Sequence, residues 1–479
     1  MNPNEPPSDP EVNEKINIKS HAHFVTPSIF LFMDNILVSA GNWIYWLLIS
    51  KMTSSSEIGI AVSVYSLIML ATTLTQLGLE YPLLKKSNSQ GSKILGTSLL
   101  IESGIILVSI PFVIIAVNTL YAKSIEQFTL VSILLLITIS FEFILRFVLL
   151  GISNSKAVLL IDLVGLGIKF TTGLVLVQLS VEAMGILLAY LVEGFFITVA
   201  SFLVVKKSFS INIGNKSYFK EILKDALVNT PAKWSKTVIV MLSIVLLALM
   251  NVNASDVGVF YISMIITVVV GGIASSMAYM VIPASNTLKK DLSSSSIRIS
   301  LSLTAPFVVA LLVVPRSILS LIGQEYTSAE ILLTVLALSI IPAAITVNMI
   351  SMLNNLGKSK MLITIGILQI VTFFVCFFVL VPPYGIMGAA ISILVAYCVS
   401  SATLLCSIEH QSFKYILFTC FSIGAGIITG YILGITLSNN LEFLVAVGAV
   451  GVSIVVIVIS KNLTLREVEL MCKAVIQRR

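Results

Sequence analysis

Apolar residues in this chain do not alternate with polar ones at the period of a soluble helix or strand; they run together. Fourteen runs lie near 27–50, 57–79, 94–118, 127–151, 157–179, 183–205, 234–253, 257–282, 297–322, 330–353, 361–381, 387–408, 415–437 and 441–460. Each is about 20 residues long, enough to cross roughly 30 Å of hydrocarbon as a helix. Backbone groups find no water partner in lipid, so such runs must be helices. The pattern therefore predicts an all-α, polytopic membrane protein of 14 transmembrane helices. Pro111, Pro306 and Pro315 fall in the third and ninth runs and predict kinks rather than breaks. Residues 1–26 are polar, acidic and proline-rich, which reads as a disordered cytoplasmic tail and not as a cleavable signal.

Composition sharpens the class. Of 479 residues 57% are hydrophobic and 11% charged, against about 25% charged in soluble domains. With the N-terminus in the cytoplasm and alternating sides, 24 of the 29 basic residues fall inside, as the positive-inside rule requires. Lys51, Lys123 and Arg316 fall outside, and Arg146 and Lys169 lie within runs. Both termini are thus expected in the cytoplasm of a multi-pass cell-membrane protein. The net charge of +6 describes a rim facing anionic lipid, not a surface for nucleic acid. The five cysteines show no metal-ligand or redox spacing, and His21-x-His23 sits in the polar tail. No cofactor and no metal are expected. The longest outer segment, around 315–329, is short, and no nucleophile–base pair is visible, so an integral-membrane enzyme is disfavoured.

The chain also repeats itself. Ser56-Glu57-Ile58-Gly59-Ile60 opens the second run and Ser255-Asp256-Val257-Gly258-Val259 the eighth, 199 residues later. Pro82 with Lys85-Lys86 is matched by Pro283 with Lys289-Lys290. Ser155-Lys156 and Ser359-Lys360 are 204 apart, and Met184-Gly185 and Met387-Gly388 are 203 apart. The unit is six helices, an even number, so the halves share one orientation and form a parallel repeat, with a substrate site expected at their interface. The expected division is a six-helix half at 27–205, a cytoplasmic linker at 206–233, and a second half at 234–408. Helices 13 and 14 follow at 409–460, then a basic cytoplasmic tail at 461–479. Within the linker, 218–224 reads as a short amphipathic helix on the inner leaflet.

Two six-helix halves, a helix-opening Glu/Asp-x-Gly and two added helices resemble the MOP superfamily of exporters and flippases. Gly323-Gln324-Glu325-Tyr326-Thr327-Ser328-Ala329 before the tenth run is similar to the Gly-x-x-Tyr-x-x-Ala element of its polysaccharide-transporter branch, the O-antigen-type flippases, and Gly357-Lys358-Ser359-Lys360 fits as well. The resemblance covers roughly residues 25–460. It implies an inverted-V bundle whose central cavity opens alternately to each side and moves a lipid-linked oligosaccharide to the outer leaflet.

Charges inside the runs are costly and by default functional. Those at depth are Asp34, Glu102, Glu142, Arg146, Asp162, Lys169 and Glu193, with Glu80 at a helix end, all in the first six helices; in the second half Arg298 and Glu330 sit at helix ends. Glu142 and Arg146 are spaced i,i+4 with the acid first and can neutralise each other. Asp162 and Lys169, seven apart, lie about 10 Å apart along the axis and are not expected to pair. Lys169, helped by Arg146, is the candidate substrate-headgroup site. Asp34, Asp162, Glu102 and Glu193 are candidates for a coupling cation or proton, and MATE exporters of the same superfamily resemble this chain in carrying an aspartate in helix 1. Six acids against two bases are many for an anionic headgroup, which leaves a cation-coupled, MATE-like multidrug exporter as the alternative. The expected partners are a lipid-linked oligosaccharide and membrane lipids, and the chain is expected to act as a monomer.

Overall fold

The computed structural model describes residues 33–120, 127–288, 293–355, 358–405, 410–436 and 442–460, together with Phe30 and Asn462. The tail predicted at 1–26 and, Asn462 apart, that at 461–479 lie outside the described residues. The described residues are helical and contain no strand. In chain order the helices are α1 (33–49), α2 (Ser55–Thr75), α3 (Glu80–Thr119), α4 (Phe128–Gly151), α5 (Ser155–Gln178), α6 (Glu182–Ser208) and α7 (Lys216–Leu249). Then come α8 (Ala254–Leu288), α9 (Ser293–Val313), the short α10 (Pro315–Ile322), a 3-10 turn at Gln324–Ala329, α11 (Glu330–Asn355), α12 (Ser359–Leu405), α13 (His410–Thr436) and α14 (Glu442–Ile459). Eleven are long and apolar enough to cross a membrane. Since α12 contains two limbs, and α1 and the Ile239–Leu249 stretch of α7 add apolar segments, the helices are consistent with fourteen spans.

Lipid explains the surface. Phe112, Phe195, Phe421, Tyr431, Phe443 and Ile459 are exposed, a display that would drive association in water but matches a hydrocarbon solvent. α13 and α14 pack on each other and on α9. Small residues make that contact close: Ser422 donates to the Ser453 carbonyl at 2.9 Å, the packing that hydrocarbon favours between helices.

The repeated motifs occupy matching structural positions. Gly59 and Gly258 sit where α2 crosses α8, backbone on backbone. A Cβ on Gly59 would lie 1.7 Å from the Ala254 carbonyl oxygen, and one on Gly258 would lie 2.1 Å from that of Ser55. Gly185 and Gly388 play a second shared role. A Cβ on Gly185 would lie 3.0 Å from Leu176 Cβ across the α5–α6 turn, and one on Gly388 would lie 2.3 Å from the Leu380 carbonyl oxygen. In a straight helix residues 380 and 388 would be about 12 Å apart. The chain instead reverses at Gly385, whose φ of +53° only glycine adopts freely, and α12 is a hairpin of two limbs.

Two local features differ from the sequence expectation. Pro111 and Pro306 remain inside α3 and α9, but Pro315 is a break: α9 ends at Val313 and Pro315 opens α10. Val314, preceding a proline, is held out of the helical region at φ −129°, ψ 49°, and proline is well suited to the first helical turn. The short amphipathic helix predicted at 218–224 is also only the start of a 34-residue helix, α7, with Asn215 capping it through Tyr218 N. Residues before that cap dock on α3: Asn212 N donates to the Ser92 carbonyl at 3.1 Å, and Gly214 N to Thr97 Oγ1 at 3.0 Å.

Candidate functional site

Four helices, α1, α4, α5 and α6, bring together six of the seven charges, and Glu102 comes from α3. Arg146, from α4, is gripped by acids of two other helices: Nη2 donates to Asp34 Oδ2 of α1 at 2.5 Å, and Nη1 donates to Asp162 Oδ2 of α5. The i,i+4 neighbour Glu142 is not the hydrogen-bonded partner. Glu142 lies instead within electrostatic reach of Glu193, Asp162 and Arg146. Both acids on Arg146 are sequestered, while a quarter of the arginine side chain remains exposed. The guanidinium fork suits two carboxylates at once.

Lys169 sits deeper and is fully enclosed. Its Nζ donates to Glu193 Oε1 of α6 at 2.9 Å and to Asn42 Oδ1 of α1 at 2.5 Å, with 2% of its side chain exposed. The ammonium also stands over the Tyr190 ring at 4.7 Å and the Tyr45 ring at 5.5 Å, where the aromatic faces attract a cation. Asp162 and Lys169, as their spacing requires, find separate partners. Glu102 lies against one hydroxyl: Thr75 Oγ1 is 2.9 Å from its Oε1 and equally close to the Thr72 carbonyl, and it meets Ser140 Oγ at 3.4 Å.

Above Lys169, toward the Ser55 and Ala254 ends of α2 and α8, an aromatic layer joins the halves. The Tyr190 ring packs against Tyr45 edge-on and against Trp46 and Tyr65 at a tilt, and Trp46 meets Tyr261 of α8 edge-on at 4.9 Å between ring centroids. Beyond it comes the Gly59–Gly258 crossing, where Ser55 Oγ meets Ser255 Oγ at 2.8 Å and donates to Glu325 Oε2 at 3.1 Å. Glu57 of the first repeat motif accepts from Ala183 N at the start of α6, 3.2 Å away. The Gly-x-x-Tyr-x-x-Ala segment thus contributes Glu325 to this closure, with Tyr326 buried behind it.

Sequence reasoning found the charges and missed Asn42, Tyr45 and Tyr190, which complete the lysine site. A mid-span asparagine is a polar signal of the same kind as the acids. The tyrosines carry no such signal in a chain with 13 of them.

Buried ion pairs inside a multi-pass helical bundle, with paired motifs crossing between α2 and α8, are the features of the site. Solved structures share the fold. The chain is similar to the lipid II flippase MurJ in its inward closed conformation, with a TM-score of 0.69 and 15% identity over 93% of this chain and 100% of that one. It is also similar to an inward-facing multidrug-resistance MATE transporter of the MOP superfamily, TM-score 0.54 and 15% identity, covering 82% of this chain and 94% of that one. A MATE protein in the straight conformation matches with a TM-score of 0.57 at 16% identity, over 84% of this chain and 96% of that one. The chain shares the fold of these solved proteins. No family model matches the chain, and no curated protein is similar to it in sequence.

Proposed function

We propose that the protein is a flippase that carries a lipid-linked oligosaccharide from the cytoplasmic to the outer leaflet by alternating access. The observation that carries this reading is the pair of membrane-buried cations, Arg146 on Asp34 and Asp162, and Lys169 on Glu193 and Asn42. A cation retained in hydrocarbon is costly unless it serves an anion, and the headgroup of a lipid-linked sugar carries phosphate. Similarity to a lipid flippase over 93% of the chain supports the same reading.

In this mechanism the phosphate enters from the cytoplasm and meets the part-exposed Arg146 first, displacing one of its two carboxylates. Lys169 engages next as a point charge, exchanging Glu193 for phosphate in a site where low dielectric strengthens the pairing. The released acids, chiefly Asp34 and Asp162, with Glu102 and Glu193 in support, bind a proton or cation and give it up as the halves swing. Coupling follows because substrate and ion favour different states; a ligand that bound both equally would shift nothing. The lipid tail stays in the bilayer beside the cavity, and one copy of the chain suffices.

Lys169→Gln keeps most of the side-chain length and removes the charge. It is expected to abolish glycan export while the protein remains inserted and folded, and Lys169→Arg is expected to retain part of the activity. Normal export by Lys169→Gln would overturn the phosphate assignment. The excess of acids over bases in the first half would then favour a MATE-like exporter of cationic compounds, measurable as efflux of a fluorescent cation from cells.

A further inference from the structure

The second half holds a concavity of different chemistry. It has a volume of about 290 Å³ and is lined chiefly by α8, α11 and α12, with Ser39 reaching in from α1. None of the described residues lining it is an aspartate, glutamate, lysine, arginine or histidine. Its polar groups are instead hydroxyls and one carboxamide, set among aliphatic side chains.

Three of those hydroxyls have already used their protons. Thr267 donates to the Met264 carbonyl at 2.7 Å, Ser339 to that of Leu336 at 2.6 Å, and Thr346 to that of Pro342 at 2.8 Å. Toward the cavity they act as acceptors. Gln369 is the exception. It is 1% exposed, and among the described residues neither its Oε1 nor its Nε2 has a hydrogen-bond partner. A buried carboxamide has one acceptor and two donors to satisfy, and native proteins rarely leave such groups without a partner. At Gly271 and Gly272, beside it, an added Cβ would meet nothing within 4 Å, so the cavity is open on that side.

Acceptor hydroxyls with one two-way carboxamide suit a ligand that both donates and accepts hydrogen bonds and carries no charge. Sugar hydroxyls do both, and a pyranose also offers C–H faces to the aliphatic walls. A phosphate only accepts and would find no cation here. We propose that this cavity receives the uncharged, hydroxyl-bearing sugars next to the phosphate, and that Gln369 is the residue that reads them. The proposal rests on the flippase reading and divides the substrate between the halves: charge to α1, α4, α5 and α6, and glycan to α8, α11 and α12. α1 spans the division. Ser39 enters the cavity, Asp34 and Asn42 of the same helix hold the two cations, and Asp34 and Ser39 are about 7.5 Å apart along its axis.

The test uses the full chain in lipid nanodiscs free of glycoside detergents, whose headgroups would compete. Two probes are titrated: a polyprenyl diphosphate, and the same lipid carrying a disaccharide. Gln369→Leu is expected to weaken binding of the sugar-bearing lipid about tenfold and leave the sugar-free lipid unchanged. Gln369→Asn, which keeps the amide one methylene short, should fall between, and Lys169→Gln should weaken both lipids. Equal affinity of Gln369→Leu and the unaltered protein for the sugar-bearing lipid would overturn the assignment, as would an equal loss for both lipids. Failure of the unaltered protein to bind either lipid would sink the flippase reading itself, and this assignment with it.

Discussion

Lys169 lies in a nearly sealed site, where Glu193, Asn42 and two tyrosine rings surround its Nζ. Removing one partner of such a pair leaves the other uncompensated, at a cost of about 3–5 kcal/mol. Lys169→Met and Glu193→Gln should therefore each lower the thermal midpoint of the purified protein. The double variant should recover part of the loss, with a coupling of about 0.5–3 kcal/mol. Strict additivity would show that the two side chains do not depend on each other. The charges themselves were legible in the sequence, since seven ionisable residues inside apolar runs cannot be overlooked. Their pairing was not. Local spacing offered Glu142 to Arg146, but helix packing brought Asp34 from 112 residues away and Asp162 from 16. Inside a bundle the neighbours set by tertiary packing outbid an i,i+4 preference of a few tenths of a kcal/mol. Gln369, being uncharged, gave no sequence signal at all.

At the scale of elements, α2 and α8 meet where both repeat motifs place a glycine. A side chain at Gly59 would collide with the Ala254 carbonyl, backbone that cannot swing aside. Gly59→Val should therefore force the two helix ends apart and slow transport severalfold, while a cysteine placed at Ser255 becomes more reactive toward a membrane-impermeant thiol reagent. Unchanged labelling would show that the crossing does not close this end. Helix existence was legible from run length, because a backbone in hydrocarbon has no other option. The limits of helices were less so. Pro315 ends one helix and starts another, whereas Pro111 and Pro306 are absorbed, and no local rule separates the three. The N-terminal part of α7 lies beyond the apolar run, so its continuity with the span had no hydrophobic signature. Lys86 ties it to α3 through Glu221 and Asp225, at 2.6 and 3.1 Å.

For the whole molecule, the distribution of lysine and arginine predicts sidedness. A cysteine at Ser54 should react with an impermeant reagent applied to intact cells, and one at Ser217 should react only after the membrane is opened. Labelling of Ser217 from outside would invert or break the helix plan. The repeat motifs further predict that 27–205 and 234–408 superpose by a rotation of roughly 180° about the membrane normal. That expectation rests on four short matches that recur in order, at offsets between 199 and 204 residues. The unequal chemistry of the halves was legible only on the charged side. The Gly59–Gly258 crossing also bears on the energy supply of the cell. With carbonyl oxygens of one helix pressed on the glycines of the other, no water fits between α2 and α8 at the crossing. For the proposed flippase the consequence is electrical: each elementary charge leaking across 100 mV would dissipate about 2.3 kcal/mol, and the close crossing that the two glycines permit narrows one route for such a leak.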